Sequence, residues 1–254
     1  MLMTRVMPCL LLKDGGLVKT VKFKNPGYIG DPINAIRIYN EKEVDELIFL
    51  DISATLDHRP PPYKVLAEIA GECFMLVTYG GGVRDVDTIR QILSLGIEKV
   101  AINSYAVENA DFVRKASEKF GSSTIVVSID ARRKFFGGYE VCTHGGRKSS
   151  GLDPVAFAVK MAQMGAGEIL LTAMDRDGTQ EGYDIELVRD VTNSVDVPLI
   201  ACGGAGKIED FRAVVKEGKA SACAAGSMVV YFGRNRAVLI NFPEREKLEE
   251  ILGE

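Results

Sequence analysis

Tyr79-Gly80-Gly81-Gly82 and Cys202-Gly203-Gly204-Ala205 lie 123 residues apart, and the chain around them keeps that offset. Asn103-Ser104 falls on Gly226-Ser227, and Leu47-Ile48-Phe49 falls on Leu170-Leu171-Thr172. Earlier in each half, Leu10-Leu11 aligns with Ile129-Asp130 at an offset of 119. Each matched pair ends or follows a short apolar run, so the repeating unit is a strand and the turn after it. A half-chain repeat of this kind is a stronger sign of architecture than local propensity.

Working outward from the glycine turns, the apolar runs are 6–12, 47–52, 74–78, 99–103, 124–129, 168–172, 198–202 and 222–225. They are largely unbroken rather than alternating, as expected of parallel strands covered on both faces. Most are separated by stretches with helical spacing, and Asp153-Pro154 and Asp210-Phe211 read as helix starts. Eight strand–helix units in 254 residues predict a (β/α)8 TIM barrel with an internal half-barrel repeat, one domain over residues 1–254. An open doubly wound sheet is the alternative.

Composition narrows the function classes. The chain is 46% hydrophobic and 26% charged, with a net charge of -4. Nucleic-acid binding needs a basic face that this balance does not supply. No apolar stretch is long enough to span a membrane, and residues 1–9 lack a signal-peptide pattern. The five cysteines include no C-x-x-C pair, so neither a disulfide framework nor a structural zinc site is expected, and a reducing cytoplasm is the expected compartment. With two histidines there is little material for a metal site or a Ser-His-Asp triad, so no metal and no cofactor is expected.

In a (β/α)8 barrel the chemistry sits at the C-terminal strand ends. Gly82 with Asn103 and Ser104, and Gly204 with Gly226 and Ser227, would then form two facing cradles of backbone N–H groups, with Asp177 and Gly178 on the edge of the second. Two cradles fit a substrate phosphorylated at both ends; tight βα turns are the plainer explanation of the same glycines. Asp51 and Asp130 end the second and fifth strands, where a carboxylate serves as an acid, a base or a substrate contact, or else caps the next helix. Lys19, in the loop after the first strand, is placed to close over a phosphate or to stay solvated. His144 reads as a loop residue. At the opposite strand ends, Arg5, Glu46, Lys99 and Glu168 begin four of the runs and would meet on the barrel floor, as an ion-pair ring or as separate rim charges.

These residues resemble those of a known family, the cyclase subunit of imidazole glycerol phosphate synthase (HisF). The matching stretches include Cys9-Leu10, Lys13-Asp14-Gly15, Gly30-Asp31-Pro32, Asp45-Glu46-Leu47, Phe49-Leu50-Asp51-Ile52, Gly80-Gly81-Gly82, Val107-Glu108-Asn109, 165–172, 175–179 and 203–207. The likeness runs from Arg5 to about Tyr231. It implies a glutaminase subunit docked at the floor and an ammonia gate of Arg5, Glu46, Lys99 and Glu168. It further implies ammonia passing up the barrel to a doubly phosphorylated ribulosyl substrate at the mouth.

Departures qualify the match. The family's chief acid/base, an aspartate two residues after the cysteine, is Leu11 here, while its repeat mate Asp130 is present. Ser123, Cys202 and His144-Gly145 also differ from the family pattern. The resemblance therefore implies an intact ammonia route with altered cyclase chemistry. It points first to relatives in surface-polysaccharide synthesis, which pair with a glutaminase-like subunit and a sugar amidotransferase making acetamidino sugars. A genuine cyclase of histidine biosynthesis and a catalytically silent scaffold that activates the glutaminase are the alternatives.

Overall fold

The computed structural model describes residues 4–233 and 235–253. Eight parallel strands form the barrel: β1 (Arg5–Lys13), β2 (Glu46–Asp51), β3 (Leu76–Gly80), β4 (Lys99–Ile102), β5 (Ile125–Arg133), β6 (Glu168–Ala173), β7 (Leu199–Cys202) and β8 (Ala222–Ala225). Each pairs with the next. β8 pairs with β1, from Arg5 opposite Ala222 to Pro8 opposite Ala225, and so closes the sheet. The strands carry continuous apolar sequence because both of their faces are covered.

Helices α1 (Pro32–Glu41), α2 (Tyr63–Glu72), α3 (Val86–Ser94), α4 (Ala110–Phe120), α5 (Pro154–Gln163), α6 (Ile185–Thr192), α7 (Ile208–Lys216) and α8 (Arg245–Leu252) surround it. Local chemistry starts them. Asp31 accepts the N–H groups of Ile33 and Asn34 at 2.9 and 3.1 Å, and Asp153 accepts that of Ala156 at 2.9 Å. The expected start at Asp210 is corrected to Ile208. Asp210 lies inside the first turn, where its carboxylate accepts from Gly206 and Lys207.

All eight expected runs are barrel strands. The third is displaced by two residues, because the strand runs on through Tyr79 to Gly80 and leaves Phe74 outside it, 88% exposed. Further strands escaped the pattern. Strands Gly16–Val21 and Lys24–Gly30 form an antiparallel strap off β1, and Tyr139–Thr143 pairs back onto β5. Tyr231–Phe232 pairs with Ala237–Val238 as a small hairpin after β8.

Two hydrophobic cores result. The larger fills the space between barrel and helices, with Phe49, Tyr79 and Phe211 fully buried. The smaller fills the bore with Met7, Cys9, Ile48, Ala101, Val126, Leu170, Ile200, Cys202, Ala222 and Ala224. Side chains alternate along a strand, so these inward residues continue downward to Arg5, Glu46, Lys99 and Glu168, and upward to Leu11, Asp130 and Thr172.

Candidate active site and barrel floor

The mouth holds a cavity of about 470 Å3. Its wall includes Leu11, Lys19, Asp51, Asn103, Ser104, Asp130, Asp177, Gly178, Gly204, Gly226 and Ser227. The strand ends thus bring together the expected site residues, with one exception. Gly82 lines a smaller neighbouring pocket of about 40 Å3, and Gly81 takes its place in the main cavity.

The N–H groups of Gly82, Ser104, Gly204 and Ser227 make no hydrogen bond among the described residues. They lie in two repeat-related places, after β3 and β4 and after β7 and β8. Two of the glycines are also required by packing. A Cβ on Gly204 (φ 118°) would lie 2.1 Å from the Gly182 carbonyl oxygen, and one on Gly178 would lie 2.3 Å from that of Thr20. Only glycine tolerates such approaches at these φ values.

Lys19 belongs to a strand rather than to a loop, and it is buried. Its Nζ donates to the Cys9 carbonyl at 3.2 Å and lies against Gly226. Thr20 beside it donates to Asp177 Oδ2 at 2.9 Å, which ties the strap to the loop after β6.

The carboxylates differ in their surroundings. Asp51 Oδ1 accepts from the Ser53 and Ala54 amides and from the Ser53 hydroxyl, and Arg59 spans both carboxylate oxygens at 2.8 and 2.9 Å. Asp51 anchors the 53–59 turn, and each of these partners comes from within eight residues of it. Among the described residues the Asp130 carboxylate has one hydrogen-bond partner, Asn103 Nδ2 at 3.1 Å. Burial pushes its carboxyl up to about 7, with the nearby Asp177 charge adding to the rise and the Asn103 bond opposing it. β1 and β5 stand opposite each other in the ring of strands, so Leu11 and Asp130 face each other across the cavity.

Below them the thiols of Cys9 and Cys202 meet in the bore. The bond from Cys202 holds the Cys9 thiol below its ordinary value despite burial, with the Lys19 charge assisting, and the Cys202 thiol is pushed well above. His144 is half-buried in the loop after Tyr139–Thr143, where its backbone N–H donates to Ser104 Oγ at 3.0 Å.

At the other end, the four strand-start charges form a closed ring. Arg5 bonds Glu46 at 2.7 Å and Glu168 at 2.6 Å, and Lys99 bonds both at 3.0 Å. Thr78 adds a hydrogen bond to Glu46, which is fully buried. Burial works against the Arg5 charge, but Glu168 and Glu46 more than offset it and raise its pKa. Half-exposed Leu76 lies in register with Glu46 of this ring, and exposed Phe74 precedes it by two residues.

Between the ring and the cavity the bore is lined by apolar side chains. The sequence itself is similar to known proteins. The family described as histidine biosynthesis protein matches residues 5–235.

The chain belongs to this histidine biosynthesis family.

A Pseudomonas aeruginosa protein with the provisional name imidazole glycerol phosphate synthase subunit hisF2 is 51% identical over 249 residues, covering 98% of this chain and 99% of that protein. Proteins of Leptospira interrogans and Leptospira borgpetersenii, provisionally named as the HisF subunit of the same enzyme, are 42% identical over 252 and 244 residues. They cover 99% and 96% of this HisF-like chain. Among its described residues no helix is long and apolar enough to cross a membrane.

Sequence reading missed Arg59, which occupies Asp51, and Arg147, which lines the cavity without an ion-pair partner among the described residues. Neither belongs to a motif. Arg59 lies in a turn and Arg147 in a glycine-rich loop, where a lone arginine carries no periodic signal.

Proposed function

We propose that this HisF-like chain is the ammonia-accepting subunit of a glutamine-dependent amidotransferase complex, and that its acceptor is not the ribulosyl substrate of histidine biosynthesis. The observation that carries the reading is Leu11. It occupies the cavity wall opposite Asp130, where the resemblance expects the chief acid/base, while the ring at the floor is complete. A leucine moves no proton, and a missing acid or base costs roughly 10²–10⁴ in rate.

In this reading a glutaminase docks over Phe74, Leu76 and the ring. Arg5, Glu46, Lys99 and Glu168 keep bulk water out, and neutral ammonia passes them into the apolar bore. At the mouth the cradles around Gly82 with Ser104 and Gly204 with Ser227 hold a phosphorylated small molecule. Lys19, Asn103, Asp177, Gly178 and Gly226 shape that site, and Asp51 holds its wall in place. Asp130 retains a proton near neutral pH, as general acid–base work requires. A sugar amidotransferase making an acetamidino sugar, as a third component, is the acceptor reading favoured by the departures from the cyclase pattern.

A genuine cyclase is the second reading, and Asp130 favours it, since one carboxyl with a pKa of about 7 can shuttle protons alone. Turnover of the ribulosyl substrate with ammonium salt separates the two. The unmodified protein is expected to be nearly inactive and Leu11→Asp to raise the rate; rapid turnover by the unmodified protein removes the first reading.

A further inference from the structure

The two cradles are built from matching repeats, but their hydroxyls are wired differently. Ser104 Oγ accepts from the His144 amide at 3.0 Å and donates its only proton to Asn103 Oδ1 at 3.2 Å. Its donor capacity is spent inside the protein. Ser227 Oγ accepts from Arg236 Nη2 at 3.2 Å. Arginine can only donate, so this bond fixes Ser227 as acceptor on that side and leaves its proton free to point into the cavity.

Arg236 comes from the hairpin of Tyr231–Phe232 and Ala237–Val238, which lies outside the strand–helix repeat. Its guanidinium carbon lies 4.7 Å from the centre of the Tyr231 ring, and its amide bonds the Gly233 carbonyl at 3.1 Å. Its backbone is held at φ 50°, a left-handed conformation that is costly for any L residue with a Cβ and persists only where the turn enforces it. Both constraints hold the side chain against Ser227. Buried Lys19 adds a second cation from the other side, against Gly226. The first cradle has Arg84 and Glu108 in its adjoining small pocket and Arg147 on the cavity wall, but among the described residues no cation bonds the Ser104 hydroxyl.

We propose that Arg236 is a specificity-determining residue that makes the Gly204–Ser227 cradle the strong anion site. The ligand class that follows is a phosphate monoester whose dianionic group sits at Gly204 and Ser227. The opposite end of the ligand meets Gly81, Asn103 and Ser104, whose hydroxyl proton is already committed to Asn103. The inference rests on the cradle reading above and adds which end of the ligand is held, and by what.

The experiment is calorimetric titration of the full chain with inorganic phosphate, across the second ionisation of phosphate. The unmodified protein is expected to bind at two unequal sites, the stronger one preferring the dianion. Arg236→Gln keeps a donor for Ser227 without the charge, and is expected to weaken the stronger site about tenfold or more and to reduce its dianion preference. Arg236→Lys, which keeps the charge, is expected to recover part of both. The melting temperature of each variant accompanies the titration, because a purely structural arginine would change it and leave the dianion preference alone. Unchanged affinity and preference in a folded Arg236→Gln protein overturns this inference and leaves the cradles standing. Absence of phosphate binding in the unmodified protein overturns the cradles and this inference together.

Discussion

Replacing Asp130 by asparagine preserves the shape of the side chain and an oxygen for the Asn103 bond, but removes a buried ionisable group. At pH 4 and below, both the folded and the unfolded wild-type chain hold the Asp130 proton, so wild type and variant differ by a fixed offset. As pH rises from about 4 to about 7, the unfolded chain releases the proton while the folded chain keeps it. A folded-state pKa raised in this way contributes stability at low pH that is lost as pH climbs through it. The folded value of about 7 stands about three units above the ordinary ~3.9, equivalent to about 4 kcal/mol by pH 8. Asp130→Asn is therefore expected to gain about 4 kcal/mol on wild type between pH 4 and pH 8, or about 10 °C in melting temperature for a chain of this size. Urea and thermal melts of both proteins across this range measure it. A stability difference that stays flat with pH refutes a buried carboxyl held protonated, and with it the case for Asp130 as a proton carrier at neutral pH.

The remaining predictions concern the floor and the Asp51 turn. With the glutaminase present, Lys99→Ala is expected to leave glutamine hydrolysis running and to raise severalfold the glutamate released per acceptor aminated, because the missing side chain opens the dry passage to water. An unchanged ratio with only a fall in stability leaves the ring a purely structural feature. Arg59→Ala strips the only ion-pair partner among the described residues from a carboxylate whose side chain is 1% exposed, and is expected to cost about 3 kcal/mol in denaturant unfolding. A loss below about 1 kcal/mol would show that the 53–54 hydrogen bonds hold Asp51 without it.

Much of this protein was legible along the chain. Unbroken apolar runs mark strands covered on both faces, and glycines after a run mark the turns at the mouth. Both are local properties, so eight strands, their parallel order and the half-chain repeat were readable from spacing. So was the sense of each strand, which put Arg5, Glu46, Lys99 and Glu168 at one end and Leu11, Asp51 and Asp130 at the other. Pairing was not readable, because it depends on closure. Arg5 and Glu168 are 163 positions apart, and only the closed barrel makes four strand-start charges a ring rather than a rim. Closure also sets Leu11 against Asp130, and the fold around them assigns the two carboxylates opposite surroundings: Asp51 is saturated by a turn and Arg59, and Asp130 is left with Asn103 alone. The hairpin that delivers Arg236 to Ser227 lies outside the repeat and gives no periodic signal. Spacing thus decided where each residue enters the fold, and the tertiary structure decided which partners compete for its charge.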